Sequence, residues 1–158
     1  MKKLKKIGLS LAMLFVVVLA TACSSKEATT VTRTFVRETN GVKTTVVYHY
    51  IEKEDKVVKQ TSKTEGPFSA FKGQDIEKLK QQLQAFSKQY QGIKGLKETL
   101  EITDEKFVED VEVDYTDFDY EKAKTLPGMS FSGDPTKTKV SMEKSAEMVI
   151  SQGFKEQK

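Results

Sequence analysis

The 158-residue chain has one cysteine, one histidine and no tryptophan. A single cysteine excludes an intrachain disulfide, and a single histidine excludes a metal site built on two histidines. The chain also lacks a glycine-rich phosphate loop, a dinucleotide fingerprint and a Cys-x-x-Cys pair, so we expect no cofactor. No apolar run reaches the ~20 residues that a membrane-spanning helix needs. With 37% hydrophobic and 31% charged residues, the composition is that of a folded domain.

The N-terminus has the three parts of a bacterial export signal. A basic segment at residues 2–6 precedes an apolar run over residues 7–20, and small residues then lead to Cys23. The run is too short for a permanent anchor helix, so residues 1–22 are predicted to be a signal peptide that is removed. The ending Leu19-Ala20-Thr21-Ala22-Cys23 resembles the lipobox of bacterial lipoproteins, in which the new N-terminal thiol accepts a diacylglyceryl group.

Lipidation of Cys23 predicts where the protein resides. Two acyl chains give stable attachment where one gives marginal binding, so we expect a lipid-anchored protein on the extracytoplasmic face of a bacterial cell membrane. Residues 23–30 would form the lipidated N-terminus and a short tether, and residues 31–158 a single domain. The alternative is an ordinary signal peptide followed by an incidental free thiol. Residues 15–20 also resemble signal fragments that some bacteria release as peptide pheromones.

The charge of the chain changes sign when the signal is removed. Four of the 26 basic residues lie at positions 2, 3, 5 and 6, which leaves 22 basic against 23 acidic residues and a net charge of −1. The basic character of the precursor therefore belongs to its targeting segment. We expect no binding to nucleic acid.

Turn signals and periodicity divide the remaining chain into strands and helices. β-Branched and aromatic runs predict strands over residues 30–38, 42–51, 56–64, 96–103 and 106–115, with a hairpin at Asn40-Gly41. Helices are predicted over residues 76–90, 120–126 and 142–152, with Asp75 and Ser141 as N-caps, and a loop over 130–138. The order β-β-β-α-β-β-α-α predicts an α+β fold, with an antiparallel sheet of about five strands and helices packed on one face.

Several strings of the sequence are similar to a known family. They are Cys23 with its lipobox, the segment DKVVKQTSKT at residues 55–64, residues 90–100, and the ending GFK at residues 153–155. With these strings the chain resembles the YehR family of bacterial lipoproteins, a family of unknown function, over nearly all of the mature sequence. The resemblance implies lipid attachment and an α+β fold, and it implies no catalytic residue.

Two groups of residues are candidates for chemistry. Seven acidic side chains crowd residues 109–121, but alternate carboxylates on a strand stand about 6.5 Å apart, and the segment lacks the glycine of an EF-hand loop. We therefore expect a solvated acidic face paired with lysines rather than a calcium site. His49 shares its side of a strand with Val47 and Ile51, which favours a packed or half-exposed residue over a catalytic base.

The loops at residues 67–71 and 128–132 carry aromatic side chains that either form a rim for a partner or pack into the core. Because no catalytic signature is present, the sequence favours a non-catalytic binding module near the membrane, for an unidentified protein or small ligand. An envelope hydrolase with an unrecognised site built around His49 is the alternative.

Overall fold

The computed structural model describes residues 14–16, 18–19, 29–127, 129–131 and 133–158. Two short strands come first, β1 (Leu14–Val16) and β2 (Val18–Leu19). The chain continues with β3 (Thr30–Thr39), β4 (Val42–Ile51), β5 (Lys56–Pro67), α1 (Ile76–Tyr90), β6 (Leu96–Ile102), β7 (Lys106–Asp114), α2 (Tyr120–Ala123), β8 (Met129–Phe131), β9 (Lys139–Val140), α3 (Met142–Ser151) and β10 (Lys155–Gln157).

Six of these strands form one sheet in the order β10-β3-β4-β5-β7-β6, and every neighbouring pair is antiparallel. The predicted α+β class is confirmed, and the predicted strands supply five of the six. The sixth, β10, pairs with β3 through Lys155 and Val36. Its three residues are all exposed, so no alternation of apolar and polar residues marked it as a strand.

The first hairpin turns at Asn40 and Gly41, whose φ angles are +55° and +82°, as the Asn-Gly pair predicts. The third strand is longer than expected, because β5 continues through Gly66 to Pro67 instead of ending at residue 64. A Cβ atom at position 66 would lie 2.9 Å from Val42 Cγ2. Gly66 therefore allows close approach of two strands here rather than a turn.

Both long helices cover the same face of the sheet, as expected. The helix α3 packs on a large core whose strand residues include Phe35, Tyr48 and Val111. The helix α1 covers most of a small core, defined by Phe68, Phe71, Leu79, Leu83 and Phe107. We call the other side of the sheet, on which no helix of the described residues packs, the open face. Alternate residues of each strand point to the two faces.

Capping side chains set the starts of the helices. Asp75 Oδ1 accepts from the backbone N of Lys78, and Ser141 Oγ accepts from the backbone N of Lys144, so both predicted N-caps are confirmed. The short helix α2 ends at Ala123, earlier than predicted, and α3 ends at Ser151. Part of the predicted loop 130–138 is extended, because β8 occupies Met129–Phe131.

The strands β1 and β2 fall within the predicted signal peptide. In the full chain β1 pairs in parallel with β8, and β2 pairs antiparallel with β9. The rest of residues 1–22, and Cys23, lie outside the described residues. Within the described part of the chain, no helix combines the length and the apolar character needed to cross a membrane.

Candidate functional site

Cys23, the predicted lipidation site, lies outside the described residues and stays a prediction. The nearest sheet strand, β3, begins at Thr30. Six residues, 24–29, lie between the cysteine and Thr30, and the chain from Cys23 to Thr30, when fully extended, spans at most about 25 Å. A lipid on Cys23 would therefore hold the sheet close to the bilayer.

Three residues of the acidic stretch, Asp110, Glu112 and Asp114, lie on the open face of β7, and lysines pair with the first two. Glu112 Oε2 is 2.7 Å from Lys59 Nζ, and its Oε1 is 3.2 Å from Lys97 Nζ, while Asp110 is 3.6 Å from Lys63. The hydrogen bond from Lys59 and the second one from Lys97 lower the pKa of Glu112 despite some burial. The prediction of a solvated acidic face paired with lysines is confirmed for these residues.

His49 lies half-buried on the open face, as a strand residue. Its register neighbours are Thr32 on β3 and Lys59 on β5. The open face also has a shallow cavity of about 450 Å³, and His49 is not among its lining residues. The cavity is bordered by strand residues of β4 to β7 that are mostly hydroxyl, lysine or carboxylate side chains, among them Thr45, Thr61, Lys63, Lys97, Thr99 and Asp110.

The helix-covered face contains a carboxyl group in an unusual setting. Glu109 on β7 is 1% exposed, and neither of its carboxylate oxygens has a hydrogen-bond partner. Burial, together with the nearby negative charges of Glu98 and Asp110, raises the pKa of Glu109 to about 7. At neutral pH this carboxyl is therefore protonated in a large fraction of the molecules.

Glu98 lies beside Glu109 on the same face. Glu98 pairs in register with Val111, and Glu109 with Leu100, so the two glutamates are diagonal neighbours on strands β6 and β7. Ser87 Oγ and Gln91 Nε2, at the C-terminal end of α1, both donate to Glu98 Oε2 at 2.7 Å. Glu98 Oε1 is buried without a partner. We call Glu98 and Glu109 the carboxyl pair.

Further buried polar groups surround the carboxyl pair. Thr64 on β5 pairs in register with Glu109, and Thr44 on β4 pairs with Thr64, their hydroxyls 3.4 Å apart. Ser62 Oγ, also on β5, is buried without a partner. Burial raises the pKa of Tyr90, at the end of α1, to about 12, with additional contributions from both glutamates. A polar strip thus separates the large core from the small core.

Sequence reasoning grouped Glu109 with the acidic surface stretch and did not single out Glu98. The alternation of inward and outward residues along a strand places both glutamates on the buried face. Glu109 has the same parity as the buried apolar residues Phe107, Val111 and Val113, and Glu98 has the parity of the buried Leu96. A carboxylate at a core position of a strand is the signal.

The aromatic loops belong to the core rather than to an exposed rim. Phe68 and Phe71 are 4% and 8% exposed and contact the ring of Phe107, with ring centroids 5.9 and 6.1 Å away. Met129 is buried, and Phe131 packs between Phe118 and Tyr120. Among the described residues, no group of three or more His, Cys, Asp or Glu side chains is arranged to hold a metal ion.

Comparison with known proteins identifies the family. The model of the "Protein of unknown function (DUF1307)" family matches residues 31–155. Uncharacterized lipoprotein Lmo0207 of Listeria monocytogenes is 41% identical over 156 residues, which covers 99% of this chain and 98% of that protein. Uncharacterized lipoprotein YehR of Escherichia coli is 30% identical over 136 residues, or 86% of each chain.

Solved structures agree with this relationship. The NMR structure of Escherichia coli YehR superposes with a TM-score of 0.64 at 27% identity, covering 83% of this chain and 93% of that one. An NMR structure of a Streptococcus pneumoniae protein shares the fold, with a TM-score of 0.50 at 19% identity, covering 88% and 92%. The resemblance found in the sequence is thereby confirmed, and the chain belongs to the DUF1307 family.

Proposed function

We propose that this chain is a lipid-anchored lipoprotein of the bacterial cell envelope, attached through a diacylglyceryl group on Cys23. On this proposal its domain is a non-catalytic binding module on the extracytoplasmic face, for a protein or small ligand near the membrane. The match to Lmo0207, which is named a lipoprotein, extends over 99% of the chain and so includes the region of the lipobox. The short connection between Cys23 and Thr30 supports a position close to the bilayer.

The observation that carries the non-catalytic assignment is the placement of His49. A hydrolase built on this histidine needs a carboxylate to orient the imidazole and a hydroxyl nucleophile within hydrogen-bond reach. The register neighbours of His49 are Thr32 and Lys59, so neither supplies the carboxylate. His49 also lies outside the lining of the open-face cavity. The placement of His49 therefore supports the hypothesis of a binding module over that of a hydrolase.

Metabolic labelling tests the anchor. Cells that express the chain are grown with a labelled fatty acid such as palmitate, and the purified protein is assayed for label. We expect label in the unaltered protein and in the control Ser24→Ala, and none in Cys23→Ser, because oxygen cannot replace the thiolate in this acylation. Equal label in Cys23→Ser, or unlabelled wild-type protein, would contradict the anchor.

Crosslinking in cells tests the binding role. The anchored protein and Cys23→Ser are crosslinked in parallel, and adducts are identified by mass spectrometry. We expect discrete adducts with envelope components that depend on the anchor, because the tether holds the domain within about 25 Å of its attachment point. Adducts that are the same with and without the anchor would argue against a partner at the membrane. The pheromone alternative concerns residues 15–20 and stays a separate prediction.

A further inference from the structure

Besides its apolar contacts, the end of α1 is joined to the edge strand β6 by side-chain hydrogen bonds that converge on Glu98. Ser87 and Gln91 both donate to Glu98 Oε2, so two turns near the end of α1 converge on the same oxygen. The other oxygen of Glu98 and both oxygens of Glu109 are buried without partners. An unpaired buried carboxylate is costly, because the protein interior cannot replace the water that solvates the charge.

No positive side chain relieves that cost among the groups described around Glu109. The elements that pack on it present Glu98 from β6, the Tyr90 phenol from α1 and the uncharged Thr64 from β5, while Asp110 follows on its own strand. The Tyr90 hydroxyl donates to the carbonyl oxygen of Pro127. The charged groups that influence the ionisation of Glu109 are therefore all acidic.

The described cations on the covered face are engaged elsewhere, and Arg33 pairs with Glu143 and Glu156. Arg37 occupies the same row of the sheet, but Thr44 and Thr64 lie between it and Glu109, which corresponds to about 14 Å across three strand spacings. Its guanidinium stacks 4.7 Å from the centre of the Phe154 ring. Lys80 of α1 lies over Phe68 and pairs with Glu77. Because the charged groups of the described residues that act on Glu109 are all acidic, a proton is the positive charge that the carboxyl pair can take.

We propose that Glu98 and Glu109 share one proton and that this proton fastens α1 to the sheet. With the proton on Glu109, its hydroxyl donates to the free Oε1 of Glu98, and the pair carries one negative charge that Ser87 and Gln91 stabilise. When the proton leaves, two negative charges face each other in a buried site, and the C-terminal half of α1 moves outward to admit water. The small core beneath the helix is then exposed.

The direction of the pH dependence follows from the raised pKa of Glu109. The closed state binds the proton more tightly than the open state, whose carboxyl has its ordinary pKa of 4.5. The free energy by which this proton favours the closed state is therefore fully present below pH 4.5, and it is lost as the pH rises through about 7. Each pH unit in this window changes the closing equilibrium by up to about tenfold, so we expect α1 to open roughly 10- to 100-fold more between pH 5 and pH 8.

Hydrogen exchange on the full chain in nonionic detergent tests the proposal. After correction for intrinsic exchange rates, we expect protection of the α1 amides to fall about 10- to 100-fold between pH 5 and pH 8, with a smaller change in α3. Glu109→Gln, which keeps a donor to Glu98 but cannot ionise, should abolish the fall. The matched control Glu101→Gln, an exposed position on β6, the edge strand that also contains Glu98, should behave as the wild type. A fall that persists in Glu109→Gln would overturn the proposal.

A direct titration covers the case in which Glu109→Gln does not fold. Carbon-13 NMR of the glutamate carboxyls in the unaltered chain should show Glu109 titrating near pH 7. In Glu98→Gln the midpoint should move down, by only part of the total shift, because burial is the larger cause. A midpoint in the ordinary range, or one that Glu98→Gln leaves unchanged, would show that the two carboxyls share no proton. Neither measurement depends on the lipid anchor.

Discussion

The large core and the small core lie under the same face of one sheet, but their helices are attached in different ways. At the start of α3, Asp55 Oδ2 accepts from Ser141 Oγ at 2.6 Å, and its Oδ1 accepts from the backbone N of Glu143 at 2.9 Å. The carboxylate that holds α3 thus has partners on both oxygens. The carboxylates that face α1 leave three oxygens without partners.

How firmly each helix is held depends both on the size of the core beneath it and on the pairing of the carboxylates that contact it. Among the described residues the large core has 18 buried members, from β3 to the segment after α3, whereas the small core has five. The polar strip of Thr44, Thr64 and Glu109 runs between them. We therefore expect α3 to open only with the whole domain and α1 to open at a lower free energy.

The largest effect should come from the large core. Phe35 is 0% exposed, and its ring packs edge-on against Tyr48 at a centroid distance of 5.8 Å. Phe35→Ala should lower the free energy of unfolding by about 3–5 kcal/mol, because it leaves a cavity in the large core. Urea denaturation measures the loss, and α1 and α3 should lose hydrogen-exchange protection together. Full protection of α3 in this variant would contradict a single large core.

A smaller and more local effect is expected in the small core. Leu83 on α1 is 0% exposed, and Leu83→Ala should cost about 2–3 kcal/mol, in the lower part of the usual range because the helix can shift to fill the space. Protection of the α1 amides should fall more than that of α3. The exposed neighbour Gln84→Ala is the control and should change stability by less than about 0.5 kcal/mol. Equal loss of protection in both helices would mean that the two cores unfold as one.

Asp55→Asn tests how far the attachment of α3 depends on charge. Burial by itself would raise the pKa of Asp55, but hydrogen bonds from Ser141, Glu143 and Lys139 outweigh burial and lower it. The stabilisation is therefore present above the ordinary pKa of 3.8 and is lost as the pH falls through the lower value of the folded state.

At neutral pH we expect Asp55→Asn to cost about 1 kcal/mol, a figure reduced for the partial exposure of this carboxyl. Chemical denaturation at pH 7 and at pH 3 should show the gap to wild type shrinking in acid. Asp104→Asn, at a fully exposed aspartate, is the matched control. If the difference in free energy of unfolding between wild type and Asp55→Asn grew in acid, the ionised Asp55 carboxylate would not be the stabilising form.

The smallest effect is expected at the added edge strand. Arg33 binds Glu156 of β10 through two parallel contacts of 2.7 and 2.9 Å, but the Glu156 side chain is 36% exposed. Glu156→Gln should therefore change global stability by no more than about 0.5 kcal/mol while speeding hydrogen exchange in β10. A global loss of several kcal/mol would show that β10 is part of the cooperative core.

Local signals account for most of the correct sequence predictions. The Asn40-Gly41 turn, the Asp75 cap and the Ser141 cap each depend on a few neighbouring residues, so they can be read from the chain alone. The features that were not predicted depend on contacts between distant parts of the chain. Gly66 continues a strand because Val42 lies against it, and β10 forms because β3 offers a free edge.

The carboxyl pair was not predicted, because the local composition suggested a solvated segment. Glu109 belongs to a segment dense in acidic residues, where the solvated reading is correct for Asp110 and Glu112 but not for it. The alternation of strand residues places Glu109 on the buried face. It does not show that Glu98 of the neighbouring strand β6 lies beside it, because strand register is set by the whole sheet.

The direction of β10 has a practical consequence for labelling this protein. Because β10 runs antiparallel to β3, the chain leaves the sheet near Thr34 and heads toward the end where Thr30 enters it. A fluorescent protein or affinity tag fused after Lys158 would therefore be placed at the same end as the N-terminal attachment point. A reporter inserted between Asn40 and Gly41 would instead project from the far end, about 30 Å away along ten strand residues.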